Sequence, residues 1–137
     1  MPATVLDSYA LLALFRGEPS GYAVKTLLHK AATSDRPLHM SEVNYAEVKY
    51  TLIKKDGLAA WEQAEDVLKS LPIEFHPADR PLADLAADFK ARFSISLADA
   101  FAAALAKDKK AELVTGDPEF KSLDKEIKIN WLLMEPQ

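Results

Sequence analysis

The sequence contains no cysteine among its 137 residues. That excludes disulfides, thiolate metal sites and cysteine nucleophiles. Glycine is scarce, with only four residues, and none is arranged as a phosphate-cradling or dinucleotide-binding turn. No apolar run approaches the length needed to cross a bilayer, so no membrane role is expected. The opening Met1-Pro2-Ala3-Thr4 lacks the basic start of a secretory signal, and a cytoplasmic protein is the expectation. Positive charge is not in excess either: 17 basic residues stand against 21 acidic ones, a net charge of −4. A domain that grips nucleic acid by bulk charge is basic, so the total argues against that mode of binding. What is present is a hydrophobic content of 49% and a charged content of 28%, the balance of a folded globular chain. Its length suits one domain spanning residues 1–137.

Short strand signals alternate with helical ones. Ala3 to Leu6 reads as a buried strand running into Asp7, and Ser8 to Phe15 as a helix that Gly17 and Pro19 punctuate. A second helix covers Gly21 to Ala32, and Pro37 to Met40 is a strand candidate. Ser41 is a good N-cap for a helix reaching about Lys55, closed by Asp56-Gly57. Leu58 to Leu71 is helical and stops at Pro72, Ile73 to His76 is a strand, and Pro81 to Arg92 is helical. Ser96 to Lys109 is an alanine-rich helix, Glu112 to Thr115 a strand followed by the turn Gly116-Asp117-Pro118, and a last strand lies within Lys128 to Leu132. About five short strands separated by helices predict an α/β fold with a central, mainly parallel sheet and helices on both faces. In such sheets functional groups gather beyond the carboxyl ends of the strands, where Asp7 and Asp117 fall.

Two more acids stand out by position. In the helix from Ser41, the residues Val43, Ala46, Tyr50 and Ile53 follow the spacing of one apolar stripe, and Glu47 falls on it. The ordinary alternative is a Glu at the stripe's edge that reaches water. In the helix from Ser96, residues 97–106 are apolar all round except Asp99, which implies burial. Asp99 is equally well explained as the N3 partner of Ser96 in a capping box. Asp7 and Asp117 also suit capping, and Pro118 suits a first helical position. The set carries more than its members. Four carboxylates converging on one dry sheet edge would repel strongly. A hard divalent cation relieves this, and an all-oxygen donor set suits Mg²⁺ or Mn²⁺.

Val5-Leu6-Asp7-Ser8-Tyr9-Ala10-Leu11-Leu12-Ala13, Asn44-Tyr45-Ala46-Glu47-Val48, Ser96-Leu97-Ala98-Asp99-Ala100 and Val114-Thr115-Gly116-Asp117-Pro118-Glu119-Phe120 together resemble PIN-domain proteins, with the nearest likeness to VapC-type toxins of toxin–antitoxin pairs. Order and spacing agree from residue 3 to the last strand. The resemblance implies a three-layer α/β/α fold and a metal-dependent ribonuclease in which metal-activated water attacks phosphorus, leaving a 5′-phosphate and a 3′-hydroxyl. It implies that Asp7, Glu47, Asp99 and Asp117 are the acids that bind Mg²⁺ or Mn²⁺ and carry catalysis. Glu42, one residue after the N-cap and off the stripe, ranks below Glu47. Ser8 and Thr115 match hydroxyl positions beside the first and last acids, suited to bonding a ligand carboxylate or bound water. Tyr9 departs from the small polar residue found there in many relatives. An RNA substrate, a VapB-type antitoxin protein and a homodimer are implied as partners.

Substrate contacts must then come from local basic residues: Arg16 near the end of the first helix and Lys49 after Glu47 are candidates, along with Lys54, Lys55 and the run at Lys107, Lys109 and Lys110. A solvated face is the plain alternative for the lysines. Cleavage through the 2′-hydroxyl instead wants a general acid–base pair such as two histidines. His29, His39 and His76 show no pairing pattern and read as surface or strand-end residues. Leu27, Leu28, Tyr22 and Trp61 suit either core or a partner surface, core being the commoner fate. Two other functions remain beside the toxin: a PIN-like nuclease of RNA processing and a non-catalytic binding module. A receiver domain and a haloacid-dehalogenase phosphatase fail on their missing acids, the latter because Tyr9 sits two residues after Asp7. Setting the four candidate ligands aside leaves the rest of the chain neutral, so the net −4 describes a site as well as a surface.

Overall fold

The computed structural model describes residues 2–132. In chain order the elements are β1 (Thr4–Leu6), α1 (Ser8–Phe15), α2 (Gly21–Ser34), β2 (Leu38–Ser41), α3 (Glu42–Asp56), α4 (Leu58–Leu68), β3 (Ile73–His76), α5 (Arg80–Arg92), α6 (Leu97–Lys109), β4 (Glu112–Thr115), a 3-10 segment (Pro118–Leu123) and β5 (Ile129–Trp131). The strands form one sheet in the order β3-β2-β1-β4-β5, parallel throughout. This is the α/β arrangement that the alternating signals predict. Among the described residues no helix is long and apolar enough to cross a membrane.

Helices cover both faces of the sheet, which makes three layers. Val5 and Leu113 face α5 and α6, with Phe89, Ala103, Phe120 and Leu123 filling that layer. Leu6, Met40 and Val114 face the opposite way onto α1 to α4, with Leu11, Val24, Leu52 and Trp61. The alternation follows from the pleat, in which successive side chains point to opposite faces. Helix α6 is buried from Asp99 to Ala106, because its alanines let it lie close on the sheet. Leu28 and Trp61 are core, Leu27 is half-buried, and Tyr22 is exposed.

Local signals explain most boundaries. Asp7, Ser41, Asp79 and Ser96 each cap the helix that follows with a side-chain oxygen. Gly57, at φ +95°, ends α3 and leads into α4. Helix α2 runs two residues past Ala32, to Ser34, before Asp35 turns left-handed. Helix α4 ends at Leu68 rather than Leu71, and a hydrogen-bonded turn fills the gap to Pro72.

One expectation needs correction. The buried face of α3 is Asn44, Val48 and Leu52, not Val43, Ala46, Tyr50 and Ile53. Val43 and Ile53 are half-buried, whereas Ala46 and Tyr50 are exposed. Both sets satisfy helical spacing. The true face was hidden because its first member is polar. Glu47 therefore lies at the border of the buried face, half-buried.

Candidate active site

The chain leaves β1 and moves outward through β2 to β3, then crosses back to β4 on the other side of β1. The order reverses beside β1, so a crevice opens beyond the carboxyl ends of β1 and β4. Asp7 follows β1, and Thr115 ends β4. These two residues meet directly. The Thr115 hydroxyl donates to Asp7 Oδ2, and the Ala10 N–H donates to Asp7 Oδ1 at 2.9 Å. Thr115 Oγ1 in turn accepts the Asp117 N–H at 3.0 Å. Asp117 caps the 3-10 segment through the Glu119 N–H, also at 3.0 Å. One short chain of hydrogen bonds thus fixes both strand-end acids.

Asp99 enters the crevice from the first turn of α6. Ser96 caps that helix, accepting the Asp99 N–H at 3.1 Å. The Asp99 carboxylate remains buried, and among the described residues its Oδ2 has no hydrogen-bond partner. Capping therefore explains Ser96 and leaves the acid of Asp99 unexplained. Asp99, Asp117 and Glu119 each offer a carboxylate oxygen, and these oxygens lie within 4.8 Å of one another. Glu119 was not singled out from the sequence. The signal was its place in the first turn after the Asp117 cap, which the Pro118 start of the 3-10 segment brings round onto Asp117.

The electrostatics follow from burial. Burial pushes the Asp7 carboxyl up to about 7, opposed by the Thr115 hydroxyl and the Ala10 N–H and reinforced by the charges of Asp117 and Glu47. Asp99 is pushed well above the carboxylate range, first by burial and then by the neighbouring Asp117, Glu119 and Asp7 carboxyls. Glu47 bears on this group through its charge on Asp7, while its own Oε2 lies 3.5 Å from the Tyr50 hydroxyl. Glu42 is exposed beyond the N-cap of α3.

Ser8 is buried and bonds Asn44 rather than an acid. Its Oγ accepts from Asn44 Nδ2 at 3.0 Å and donates to the Asn44 carbonyl at 3.3 Å. Asn44 Nδ2 also donates to the Ala98 carbonyl at 3.1 Å, and Asn44 Oδ1 accepts the Ser41 hydroxyl at 2.5 Å. This network joins the residues next to Asp7 and Asp99. The Tyr9 ring lies over Gly116, where a Cβ would stand 2.2 Å from the ring. The small residue between Thr115 and Asp117 is what lets that ring close the crevice wall.

The basic candidates lie elsewhere. Arg16 caps the far end of α1, about 13 Å along the helix from Asp7, where it pairs with Asp56 at 3.0 Å and Glu18 at 3.6 Å. Lys49 sits over the Trp61 ring at 5.6 Å, and two helical residues place it on another side of α3 from Glu47. The structure does not bring either to the acids. The histidine expectation also needs correction: His39 and His76 do pair, with Nδ1 and Nε2 2.9 Å apart across β2 and β3. Their separation in sequence concealed a contact that the parallel register creates.

The donor set fits a hard divalent cation. It is all oxygen, and it contains a buried carboxylate oxygen with no partner beside two more carboxylates.

A family profile described as PIN domain matches residues 4–126. The chain belongs to the PIN domain family. Comparison with curated protein sequences yields no match. Among solved structures, the chain is similar to VapBC2 from Rickettsia felis bound to a promoter DNA fragment, with 20% identity, 93% of this chain and 97% of that one covered, and a TM-score of 0.68. It is also similar to DNA-bound VapBC from Salmonella typhimurium, with 13% identity, 97% and 100% coverage and a TM-score of 0.73. A third is VapC20 from Mycobacterium tuberculosis, described as a sarcin–ricin-loop-cleaving toxin, with 16% identity, 91% and 96% coverage and a TM-score of 0.69.

Proposed function

We propose that this protein is a Mg²⁺- or Mn²⁺-dependent endoribonuclease and the toxin of a VapBC-type toxin–antitoxin pair, acting in the cytoplasm. The observation that carries the reading is the buried, unpartnered Asp99 Oδ2 beside Asp117 and Glu119 in the crevice next to β1. A purely structural core has no use for such a group, which costs free energy wherever no cation compensates it. The likeness to VapC20 and to VapBC complexes supports RNA as substrate and a small antitoxin as partner.

Asp99, Asp117 and Glu119 would hold the cation, with Asp7 beside them and Glu47 at the rim. A bound divalent cation supplies a nucleophilic water near neutral pH and screens the phosphate charge. The chain's own work is placement. Thr115 and the Ala10 N–H orient the Asp7 carboxyl, and the Asn44 network holds the first turn of α6, hence Asp99, against the start of α1. The burial of Asp7 and Asp99 strengthens their attraction for a cation, while Asp117 and Glu119 stand toward solvent. The nearby acids would repel a bare phosphate, so RNA binding would depend on the cation that these residues would hold.

The paired His39 and His76 do not favour the rival 2′-hydroxyl route. They bond each other on β2 and β3, and the crevice lies between β1 and β4.

The test is cleavage of total RNA by the purified chain in Mn²⁺ and in chelator, with cut ends mapped. The expected result is Mn²⁺-dependent cuts with 5′-phosphates, lost in Asp7→Asn. Cleavage that persists in chelator, or is undiminished in Asp7→Asn, overturns the reading. Expression in a host cell separates the toxin role from RNA processing. Growth arrest relieved by the product of a neighbouring short reading frame is expected, and no arrest from an active nuclease overturns the toxin assignment.

A further inference from the structure

A second cluster of ligating side chains lies outside the crevice. His39 on β2 is in register with Glu74 on β3, and His76 is two residues further along β3. Residues two apart on a strand, and partners in parallel register, share a face. His39 is also in register with Val5, which faces the α5 and α6 layer, so all three side chains stand on the α6 side of the sheet. One ligand atom from each lies within 4.8 Å of the others. His39 Nδ1 and His76 Nε2 are 2.9 Å apart, and His76 Nε2 is 3.7 Å from Glu74 Oε1.

We propose that His39, His76 and Glu74 form a second cation site, for a borderline transition ion such as Zn²⁺, that clasps the edge strand β3 to β2. Two nitrogens bound to tetrahedral Zn²⁺ stand about 3.3 Å apart, so the imidazoles need separate by only about 0.4 Å. Glu74 already stands near the required distance. The donor set of two imidazoles and one carboxylate differs in kind from the all-oxygen crevice, and imidazole selects Zn²⁺ over Mg²⁺. His76 is mostly covered and Glu74 mostly exposed, with side chains 15% and 57% accessible. Two ligands are therefore set by packing, and the third closes from solvent. Three protein ligands leave a fourth position for water. The benefit is local. β3 is an edge strand with no fully buried residue, and a cation bridging it to β2 adds a link that the apolar core does not supply.

The experiment uses the whole chain without a polyhistidine tag, in millimolar Mg²⁺ so that the crevice is already supplied. Zn²⁺ at about ten times its Kd is expected to raise Tm by about 5 °C. Co²⁺ is expected to give the strong visible absorption of a low-coordinate site. Both effects should survive in Asp99→Asn and disappear in His76→Gln, whose position at a strand end lets the fold persist. Glu74→Gln should weaken binding about tenfold or more. Loss of the Zn²⁺ shift in Asp99→Asn with retention in His76→Gln would assign the ion to the crevice and overturn the proposal, as would the absence of any Zn²⁺ binding. None of these readouts uses RNA cleavage, so the proposal stands or falls apart from the proposed activity.

Discussion

Two buried polar clusters lie side by side at the carboxyl edge of this sheet, one residue apart along both α1 and α6. In the first, Asn44 spends both Nδ2 hydrogens and its Oδ1 on Ser8, Ala98 and Ser41. In the second, Asp99 Oδ2 has no partner, and Asp7 and Asp99 are both held well above the usual carboxylate range. The first cluster is neutral and satisfied, so it stabilises the fold and sets positions. The second is ionisable and unsatisfied, so in isolation it opposes folding. The contrast separates a scaffold from a site without reference to activity, because only a ligand makes the second arrangement favourable.

Asp99→Asn should break the contrast most sharply. It removes the ionisable group while nearly keeping the shape, so RNA cleavage should fall about a thousandfold or more. The same variant, freed of metal, should be more stable than the parent by about 1–3 kcal/mol in urea denaturation. A destabilised metal-free Asp99→Asn would show that the carboxylate is structural after all.

Asn44→Leu should act in the opposite sense. It removes the amide that bonds Ser8, Ser41 and the Ala98 carbonyl, leaving only the backbone bonds of residue 44 to the two serines, and should cost about 2–4 kcal/mol in the same measurement, with or without metal. A loss under about 1 kcal/mol would mean that the network contributes little to the scaffold.

Stability against pH should sharpen the comparison by a smaller amount. Asp7 has a folded pKa of about 7, against about 3.9 in the unfolded chain. Between those values the folded state holds more protons. The Asp7 contribution is therefore fully present below about pH 4 and is lost as pH rises through about 7. Asp99, raised in the same direction, extends the loss to higher pH. Thermal unfolding of the chelated protein from pH 4 to 8 should show Tm falling. Millimolar Mg²⁺ or Mn²⁺ should restore much of it at the upper end by mass action. A flat profile would mean that burial perturbs these carboxyls far less than their surroundings imply.

The strands were legible because a parallel strand buried on both faces is a short apolar run between breakers. Thr4–Leu6 and Glu112–Thr115 fit that description almost to the residue, whereas the edge strand Ile73–His76 was marked by its flanking prolines, Pro72 and Pro77. The face of α3 was not legible. Two stripes satisfied the period, and the buried one begins with an asparagine that apolar counting passes over. Glu119 was overlooked because its approach to Asp99 depends on the turn that the 3-10 segment makes after Pro118. Arg16 looked available because nothing in sequence ties it to Asp56, forty residues away. The histidine pair is the clearest case. His39 and His76 meet through strand register, and their contact leaves no local trace.

By itself the sequence determined the order of the elements, the caps that start the helices, and the position of each acid relative to its own strand or helix. Those are short-range matters of hydrogen bonding, backbone freedom and apolar spacing, settled within a turn or two of chain. Only the tertiary structure decided which acids converge, that Asp99 Oδ2 is left without a partner among the described residues, and that Asp7 and Asp99 are driven toward their protonated forms. Desolvation and charge repulsion depend on what packs against a group from distant parts of the chain. They arise only once β1, β4 and α6 have come together.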